Sequence, residues 1–471
     1  MKVSNNLDKE MGKRIVWLII WLSTSSLVAQ DVTGAWGGVL DIQGTHLRVV
    51  FNVSQGPQGY TATMDSPDQG VKDLPVASTE INGSTITFGL PAARITYRGV
   101  FKDSLIIGTF TQNNRDFPLD LTRQTSEAKT VSRPQDPIKP FPYISEDITF
   151  DNLKAKITLA GTLTMPKGKG RFPAVVLISG SGPQNRNEEL MGHRPFLVLS
   201  DHLTRNGIAV LRYDDRGFGA STGDFGSATS ADFATDAESA MAYLKSRSEI
   251  NGNAIGLIGH SEGGLIAPMV AADSKDVAFV VLMAGSGIRG DKLLLLQEEL
   301  IERVLGTPET EINRMLVTNG KLFDAIVNAK DDTRLKSELR DILEEGGAVT
   351  VPEGMTKEEF ITAQTDQFTS PWVTYFLRYD PSENLGKVTC PVLAINGEKD
   401  LQVPPQANLS AIKSAIVKGG NTKVTTREYK TLNHLFQEAG TGSPMEYSTI
   451  EQTIAPIVLE DITAWIKSQT K

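Results

Sequence analysis

Two patterns of hydrophobic and polar positions divide the chain. Over residues 31–123, short runs such as 47–53 and 95–101 alternate between apolar and polar side chains, and Gly, Pro, Asn and Asp separate the runs. Alternation with a period of two is typical of strands that bury one face. Several such strands at this spacing predict a small all-β antiparallel domain, either a barrel or a sandwich. No motif in it indicates catalysis, so we expect this domain to pack, bind or shield.

From residue 151 to the end, strand-like apolar runs alternate with helix-like segments. This order predicts an α/β domain with a doubly wound, mainly parallel sheet that binds ligands at the carboxyl ends of its strands. Residues 124–150 are largely polar and contain prolines, which favours a linker with few obligatory contacts. At about 288–379, a helical pattern too long for a loop predicts a helical cap, with Trp372, Tyr375 and Phe376 as candidate pocket walls.

The first residues have the composition of a secretory signal. Lys13 and Arg14 precede an apolar core at residues 15–22, and Ser-rich and small residues lead to Ala29. The core is too short to span a bilayer, and no later stretch has the length of a membrane helix. We therefore expect a signal peptide at 1–29, starting at Met1 or Met11, and a secreted or periplasmic mature protein with no integral membrane segment.

Charge and cysteine usage narrow the function classes. The formal net charge is −9 at pH 7, which makes nucleic acid and anionic membranes unexpected partners. Cys390 is the only cysteine, so the chain forms no internal disulfide, and it lies too far from the signal to carry a lipid. The histidines show no spacing typical of a zinc site, so we expect neither a metal nor another cofactor.

One motif indicates chemistry directly. Gly259-His260-Ser261-Glu262-Gly263 follows the apolar run 254–258. A serine on a tight turn between a strand and a helix needs glycine two residues to either side, because the serine backbone is strained and the neighbouring backbones pass closely. The motif therefore predicts Ser261 as a nucleophile, with Gly259 and Gly263 forming its elbow.

The histidine count selects a base for this serine. In hydrolases with such an elbow the nucleophile, the acid and the histidine follow one another in that order. Of the five histidines, only His434 follows Ser261, and it lies in a loop after a strand-like segment. The acid is expected in the polar turn after the buried strand at 391–397, where Asp400 is the better candidate and Glu398 the alternative.

Residues 151–471 resemble the α/β-hydrolases, in particular bacterial esterases and serine aminopeptidase-like hydrolases. Residues 171–183 resemble the family strand that ends in His-Gly and supplies an oxyanion donor, although serine stands here in place of that histidine. The resemblance implies an oxyanion hole formed by the backbone N–H of Glu262 and that of either Ser181 or Gly182. Residues 208–221 are similar to the family turn D-x-R-G-x-G-x-S, in which Arg216 is expected to brace loops.

These residues predict a serine hydrolase that cleaves carboxylic esters through an acyl-enzyme, with Ser261, His434 and Asp400 as its triad. A peptidase or amidase of the serine aminopeptidase type is the alternative, because both activities use the same triad. A second alternative is a binding protein on a hydrolase fold that has lost activity. The expected substrate is a small-molecule ester or a short peptide.

Overall fold

The computed structural model describes residues 32–42, 45–57, 59–67, 71–102, 104–112, 115–124, 132–345 and 356–471. The predicted signal peptide at 1–29 lies outside these ranges. None of the helices in the described ranges is both long and apolar enough to cross a membrane.

The N-terminal residues form one curved antiparallel sheet. Its strands are β1 Gly34–Ile42, β2 Thr45–Gly56, β3 Gly59–Ser66, β4 Val71–Pro75, β5 Ser78–Asn82, β6 Thr85–Leu90, β7 Ile95–Lys102, β8 Leu105–Gln112, β9 Arg115–Pro118 and β10 Leu121–Arg123. They pair in the order β4-β3-β2-β1-β10-β8-β7-β6-β5, and β9 pairs with β8. The prediction of an antiparallel β domain is thus confirmed.

This sheet curls into a half-barrel around an aromatic core. The chain between β4 and β5 joins the two ends of the sheet, because the Val76 N–H donates to the Ala62 carbonyl and the Ala77 N–H to the Gly89 carbonyl. Four fully buried rings fill the interior: Trp36, Phe51, Phe88 and Tyr97. Of the two predicted forms, the observed sheet is therefore closer to the barrel than to the sandwich.

The second sheet carries the motifs singled out above. Its strands are β11 Ile144–Asn152, β12 Ile157–Met165, β13 Phe172–Ile178, β14 Ala209–Tyr213, β15 Ile250–His260, β16 Phe279–Met283, β17 Val392–Gly397 and β18 Val424–Tyr429, in the order β11-β12-β14-β13-β15-β16-β17-β18. The pairs β11–β12 and β12–β14 are antiparallel, and the pairs from β14–β13 to β17–β18 are parallel.

The helices of the second domain cover both faces of this sheet or are inserted between two of its strands. They are α1 Pro195–Arg205, α2 Ser230–Ser246, α3 Gly263–Asp273, α4 Gly290–Val304, α5 Glu309–Asn328, α6 Asp332–Glu345, α7 Lys357–Phe368, α8 Pro371–Arg378, α9 Ser382–Leu385, α10 Pro405–Lys418 and α11 Pro456–Gln469. Successive residues of β13 point to opposite sides: Val176 packs in the core with α2, α3 and α10, and Val175 in the core with α1 and α11.

Helices α4–α8 interrupt the alternation between β16 and β17, where the sequence predicts the cap. Their apolar faces form a core of their own that includes Phe323, Ile326, Leu339 and Ile361. The inserted helices therefore pack as a unit beside the sheet.

The cap and the half-barrel contact each other. The Arg94 guanidinium lies over the Phe360 ring, 5.2 Å from its centroid, and donates a hydrogen bond of 2.7 Å to Gln364 on α7. Arg115 forms an ion pair of 2.9 Å with Glu302 on α4. These contacts tie two cap helices to the N-terminal sheet.

The segment predicted as a linker at 124–150 is built into the second domain over much of its length. Strand β11 begins at Ile144, so residues 144–150 belong to the second sheet. Before it, Gln135 hydrogen bonds to the backbone of Thr453 and Ile454, and Asp136 pairs with Arg194. Polar composition predicts a linker with few obligatory contacts, whereas Gln135 bonds backbone groups of the loop before α11 and Asp136 bonds a side chain at the start of α1.

Candidate active site

Ser261 lies on the sharp turn between β15 and α3. Its φ of 53° falls in the left-handed region, which few residues other than glycine adopt, and its N–H donates to the Met283 carbonyl at 2.9 Å. A Cβ on Gly259 would lie 1.9 Å from the Gly263 carbonyl oxygen, and one on Gly263 would lie 2.0 Å from that of Ile178. No side chain fits at either glycine, as a nucleophile elbow requires.

His434 and Asp400 meet in a buried pair. His434 Nδ1 donates to Asp400 Oδ2 at 2.8 Å, and the backbone N–H groups of Gln402 and Val403 donate to Asp400 Oδ1 at 2.9 and 2.8 Å. Glu398, the alternative acid, is exposed, and among the described residues its carboxylate accepts only the Thr431 N–H, at 3.2 Å. The turn after β17 thus brings Asp400, and not Glu398, to the histidine.

The His434 loop lies against the nucleophile turn. The His434 and His260 rings are 4.8 Å apart between centroids, and His260 Nε2 donates to the His434 carbonyl at 3.0 Å. Among the hydrogen bonds of the described residues, none joins Ser261 Oγ to His434 Nε2. Bonds between nucleophile and base are often long without substrate and shorten in the complex.

Free backbone donors lie where an oxyanion hole is expected. Within the described part of the chain, the N–H groups of Ser181, Gly182 and Glu262 donate no hydrogen bond. The neighbouring N–H of Gly180 is instead taken by Glu188 Oε1, at 2.8 Å. Glu262 precedes α3, so its N–H also points from the positive end of a helix. Both candidates for the second donor, Ser181 and Gly182, remain available.

The Glu262 side chain links the turn to the cap. Its Oε1 accepts hydrogen bonds from Ser230 Oγ at 2.6 Å and from the Trp372 indole N–H at 2.8 Å. Burial raises the pKa of the Glu262 carboxyl above its usual range, although these donors and Ser181 oppose the shift. Trp372 stacks on Phe376, with centroids 5.0 Å apart. Of the three aromatic residues predicted as pocket walls, Trp372 therefore reaches the residue next to the nucleophile.

Asp215 is a second buried acid near this turn. It accepts hydrogen bonds from Ser179 Oγ and the Gln184 N–H, both at 2.8 Å, and lines a small cavity together with Glu262. Burial raises the pKa of Asp215 to about 8, and the negative charge of Glu262 adds to the shift.

Arg216 is expected from the resemblance to brace loops, and in the structure its side chain binds Asp236 on helix α2. Its Nε donates to Asp236 Oδ2 at 2.7 Å, and its terminal nitrogen donates to Asp236 Oδ1 at 2.9 Å. Asn152 donates to the same carboxylate at 2.7 Å. In the ranges that the structure covers, no group of three or more His, Cys, Asp or Glu side chains is arranged to hold a metal ion.

Comparison with known proteins gives one family match. The model of a family described as serine aminopeptidase, S33, matches residues 195–438, just over half of the chain. Esterase EstD of Thermotoga maritima is 26% identical over 340 residues, which cover 72% of this chain and 71% of that protein. An uncharacterized 31.7 kDa protein of Escherichia coli is 26% identical over 265 residues, 55% of this chain and 84% of that protein.

Two of the solved structures that match this chain are from Pyrococcus furiosus and Butyrivibrio proteoclasticus. An esterase of Pyrococcus furiosus has 16% identity and a TM-score of 0.43, covering 72% of this chain and 97% of its own. Est1E of Butyrivibrio proteoclasticus, with ferulic acid bound, has 17% identity and a TM-score of 0.42, covering 69% and 99%. Because these scores lie below 0.5, the family match and the strand order carry the assignment of the fold.

Proposed function

The chain belongs to the serine aminopeptidase S33 family of α/β-hydrolases, and on that premise we propose that it hydrolyses carboxylic esters through an acyl-enzyme on Ser261. One observation carries the proposal. Ser261 holds a left-handed φ between two glycines that no other residue can replace, and the buried pair of His434 and Asp400 lies beside its turn.

In the proposed reaction His434 acts first as a base. Its Nε2 takes the Ser261 hydroxyl proton as Oγ attacks the ester carbonyl carbon, and the carbonyl oxygen becomes an oxyanion. His434 then gives that proton to the leaving alkoxide oxygen as the C–O bond breaks, which leaves an acyl group on Ser261. A water molecule attacks the acyl carbon, His434 takes its proton and returns it to Ser261, and the carboxylic acid departs.

Asp400 and the backbone donors stabilise the charges that form. The Asp400 carboxylate accepts from His434 Nδ1, which fixes the tautomer with Nε2 free and stabilises the imidazolium. The N–H of Glu262, together with that of Ser181 or Gly182, would hold the oxyanion. Each such donor lowers the activation free energy by about 2.7–4 kcal/mol in comparable enzymes.

Ester is favoured as the substrate class because the matched relative from Thermotoga maritima is named an esterase. The family description favours the second candidate, an aminopeptidase or amidase, which would use the same triad. Hydrolysis of acyl esters of graded chain length should be compared with hydrolysis of aminoacyl arylamides. A larger kcat/KM for the arylamides would make the peptidase the main activity.

Labelling by a fluorophosphonate tests the proposal directly. The probe should modify Ser261, and Ser261→Ala should lose labelling and about four to six orders of magnitude in turnover while keeping the fold. A variant that retains a tenth of the activity would contradict the assignment. If the wild-type protein is neither labelled nor active on esters or arylamides, the proposal of an enzyme is wrong and the alternative, a binding protein on a hydrolase fold, takes its place.

We also propose that residues 1–29 direct export and that the mature protein acts outside the cytoplasm. N-terminal sequencing of protein from the extracellular and periplasmic fractions of a bacterial host would test this. A mature start close to residue 30 is expected, and full-length protein retained in the cytoplasm would contradict export.

A further inference from the structure

We propose that Glu188 and His260 form a buried clamp that positions the oxyanion loop, the nucleophile turn and the His434 loop relative to one another. This inference rests on the proposed function, since it assigns these three segments the parts of one reaction. It makes Glu188 and His260 positioning residues, because neither is placed to touch the reacting atoms.

Two side chains connect the three segments. Glu188 Oε1 accepts from the Gly180 N–H at 2.8 Å, in the loop that carries the candidate oxyanion donors. The same oxygen accepts from His260 Nδ1 at 2.9 Å, and His260 directly precedes the nucleophile. His260 Nε2 then donates to the carbonyl of His434 at 3.0 Å. The chain of contacts therefore runs from the oxyanion loop through the elbow to the general base.

Both nitrogens of His260 face acceptors, a carboxylate on one side and a carbonyl on the other. Only the doubly protonated imidazolium can donate to both. Burial lowers the pKa of His260, but the charge and hydrogen bond of Glu188 and the His434 carbonyl outweigh it, so the pKa is raised overall. The two side chains are 7% and 6% exposed, so solvent hardly weakens their attraction.

The backbone of Glu188 supports a specific role. Its φ of 51° lies in the left-handed region, and the structure keeps this conformation in a residue that is 4% exposed as a whole. Its second oxygen, Oε2, is buried and has no hydrogen-bond partner among the residues that the structure describes. A residue that only filled space would need neither a left-handed backbone nor a buried carboxylate.

Two substitutions at His260 separate the two halves of the clamp. In His260→Gln the amide nitrogen lies near the position of Nε2, which preserves the donor to the His434 carbonyl and removes the donor to Glu188. In His260→Asn the amide nitrogen lies near the position of Nδ1, which preserves the donor to Glu188 and removes the donor to the His434 carbonyl. If the clamp acts as a unit, both variants lower kcat, since a misplacement of about 1 Å can cost on the order of 100-fold.

Glu188→Gln tests the charge with little change of shape, and Glu189→Gln is its control. Glu189 is the exposed neighbour, and in the described part of the chain its side chain bonds only to Asn185, at 3.2 Å. We expect Glu188→Gln to lower kcat on a small activated ester about 10- to 100-fold with KM within about threefold, and Glu189→Gln to match wild type. A filler role would change the melting temperature without this split between kcat and KM.

The double variant Glu188→Gln/His260→Gln completes a mutant cycle. The clamp predicts that it loses little more kcat than the worse single variant, because one broken contact already separates the segments. Rates are normalised to active sites titrated with the fluorophosphonate, so unfolded protein does not count. If Glu188→Gln does not fold, the two His260 variants carry the test.

The outcomes separate the clamp from the proposed function. A wild-type kcat in Glu188→Gln and His260→Gln, or losses that simply multiply in the double variant, would overturn the clamp while Ser261→Ala stays inactive. Absence of labelling and turnover in the wild-type protein would instead overturn the proposed function.

Discussion

Replacing Asp400 by Asn changes one atom at a point where the structure fixes the orientation of the new side chain. The Gln402 and Val403 N–H groups both donate to Asp400 Oδ1, so the amide of the variant must keep its oxygen there. Its NH₂ group then faces His434 Nδ1, which is 2.8 Å away from Oδ2 in the wild type. Two donors cannot face each other, so Nδ1 must lose its proton and accept instead.

The size of the effect follows from that change of tautomer. A neutral His434 that accepts at Nδ1 carries its proton on Nε2, which cannot then take the Ser261 proton. We expect kcat to fall by about 10³ to 10⁴, which corresponds to about 4–5.5 kcal/mol at roughly 1.36 kcal/mol per factor of ten. The fold should survive, because both backbone bonds to the Oδ1 position are kept.

Glu398→Gln is the matched control in the same turn. Glu398 is exposed and, within the ranges that the structure covers, accepts a single hydrogen bond, from the Thr431 N–H, so the amide variant should keep kcat within about twofold of wild type. Both variants are assayed on an activated ester at saturating substrate, with circular dichroism to confirm folding. A normal rate in Asp400→Asn, or a larger loss in Glu398→Gln, would refute the choice of acid.

Three further changes test other parts of the site. Burial raises the pKa of Asp215 to about 8, so between about pH 4 and about pH 8 the folded protein holds a proton that the unfolded chain releases, and stability falls as the pH rises through this range. Asp215→Asn should make the melting temperature fall less steeply with pH. An unchanged slope would contradict the raised pKa. Trp372→Phe removes the indole bond to Glu262 and should change KM for bulky esters more than for small ones, and an equal effect on both would contradict a role at the pocket. A chain that starts at residue 144 should melt at a lower temperature than one that starts at residue 132, because it lacks Arg133 and Gln135, and equal melting temperatures would show that their contacts are dispensable.

The parts of the site that the sequence predicts are those with a local steric requirement. Gly259 and Gly263 can be predicted because a Cβ at either position would lie about 2 Å from a backbone oxygen, so the motif requires glycine there. His434 could be found because chain order and a small number of histidines leave no other choice. In the turn after β17 the sequence favours Asp400 and leaves Glu398 as the alternative, and in the folded protein Asp400 is buried and Glu398 is exposed.

Glu188 could not be found in this way. It lies in the polar stretch Asn185-Arg186-Asn187-Glu188-Glu189, in which no apolar residue indicates burial. Its burial depends on residues distant in sequence, because His260 is 72 positions away. Neither a periodicity nor a local motif distinguishes Glu188 from Glu189, although one is 4% exposed and the other is on the surface. Long-range pairing of this kind appears only in the three-dimensional structure.

The segment before β11 also makes contacts with residues distant in sequence, and these contacts lead to the loop of His434. Arg133 donates to the carbonyls of residues 191 and 448, at 2.9 and 3.1 Å, and thereby holds together the two backbone stretches that enclose His193. Burial, with the Arg133 charge, lowers the pKa of His193 to about 4, so this ring is neutral in the fold. His193 contacts Gln437 at 3.0 Å, and Gln437 in turn bonds to Asn433 beside His434. Side chains that precede residue 151 are thus connected, through buried polar contacts, to the loop that carries His434.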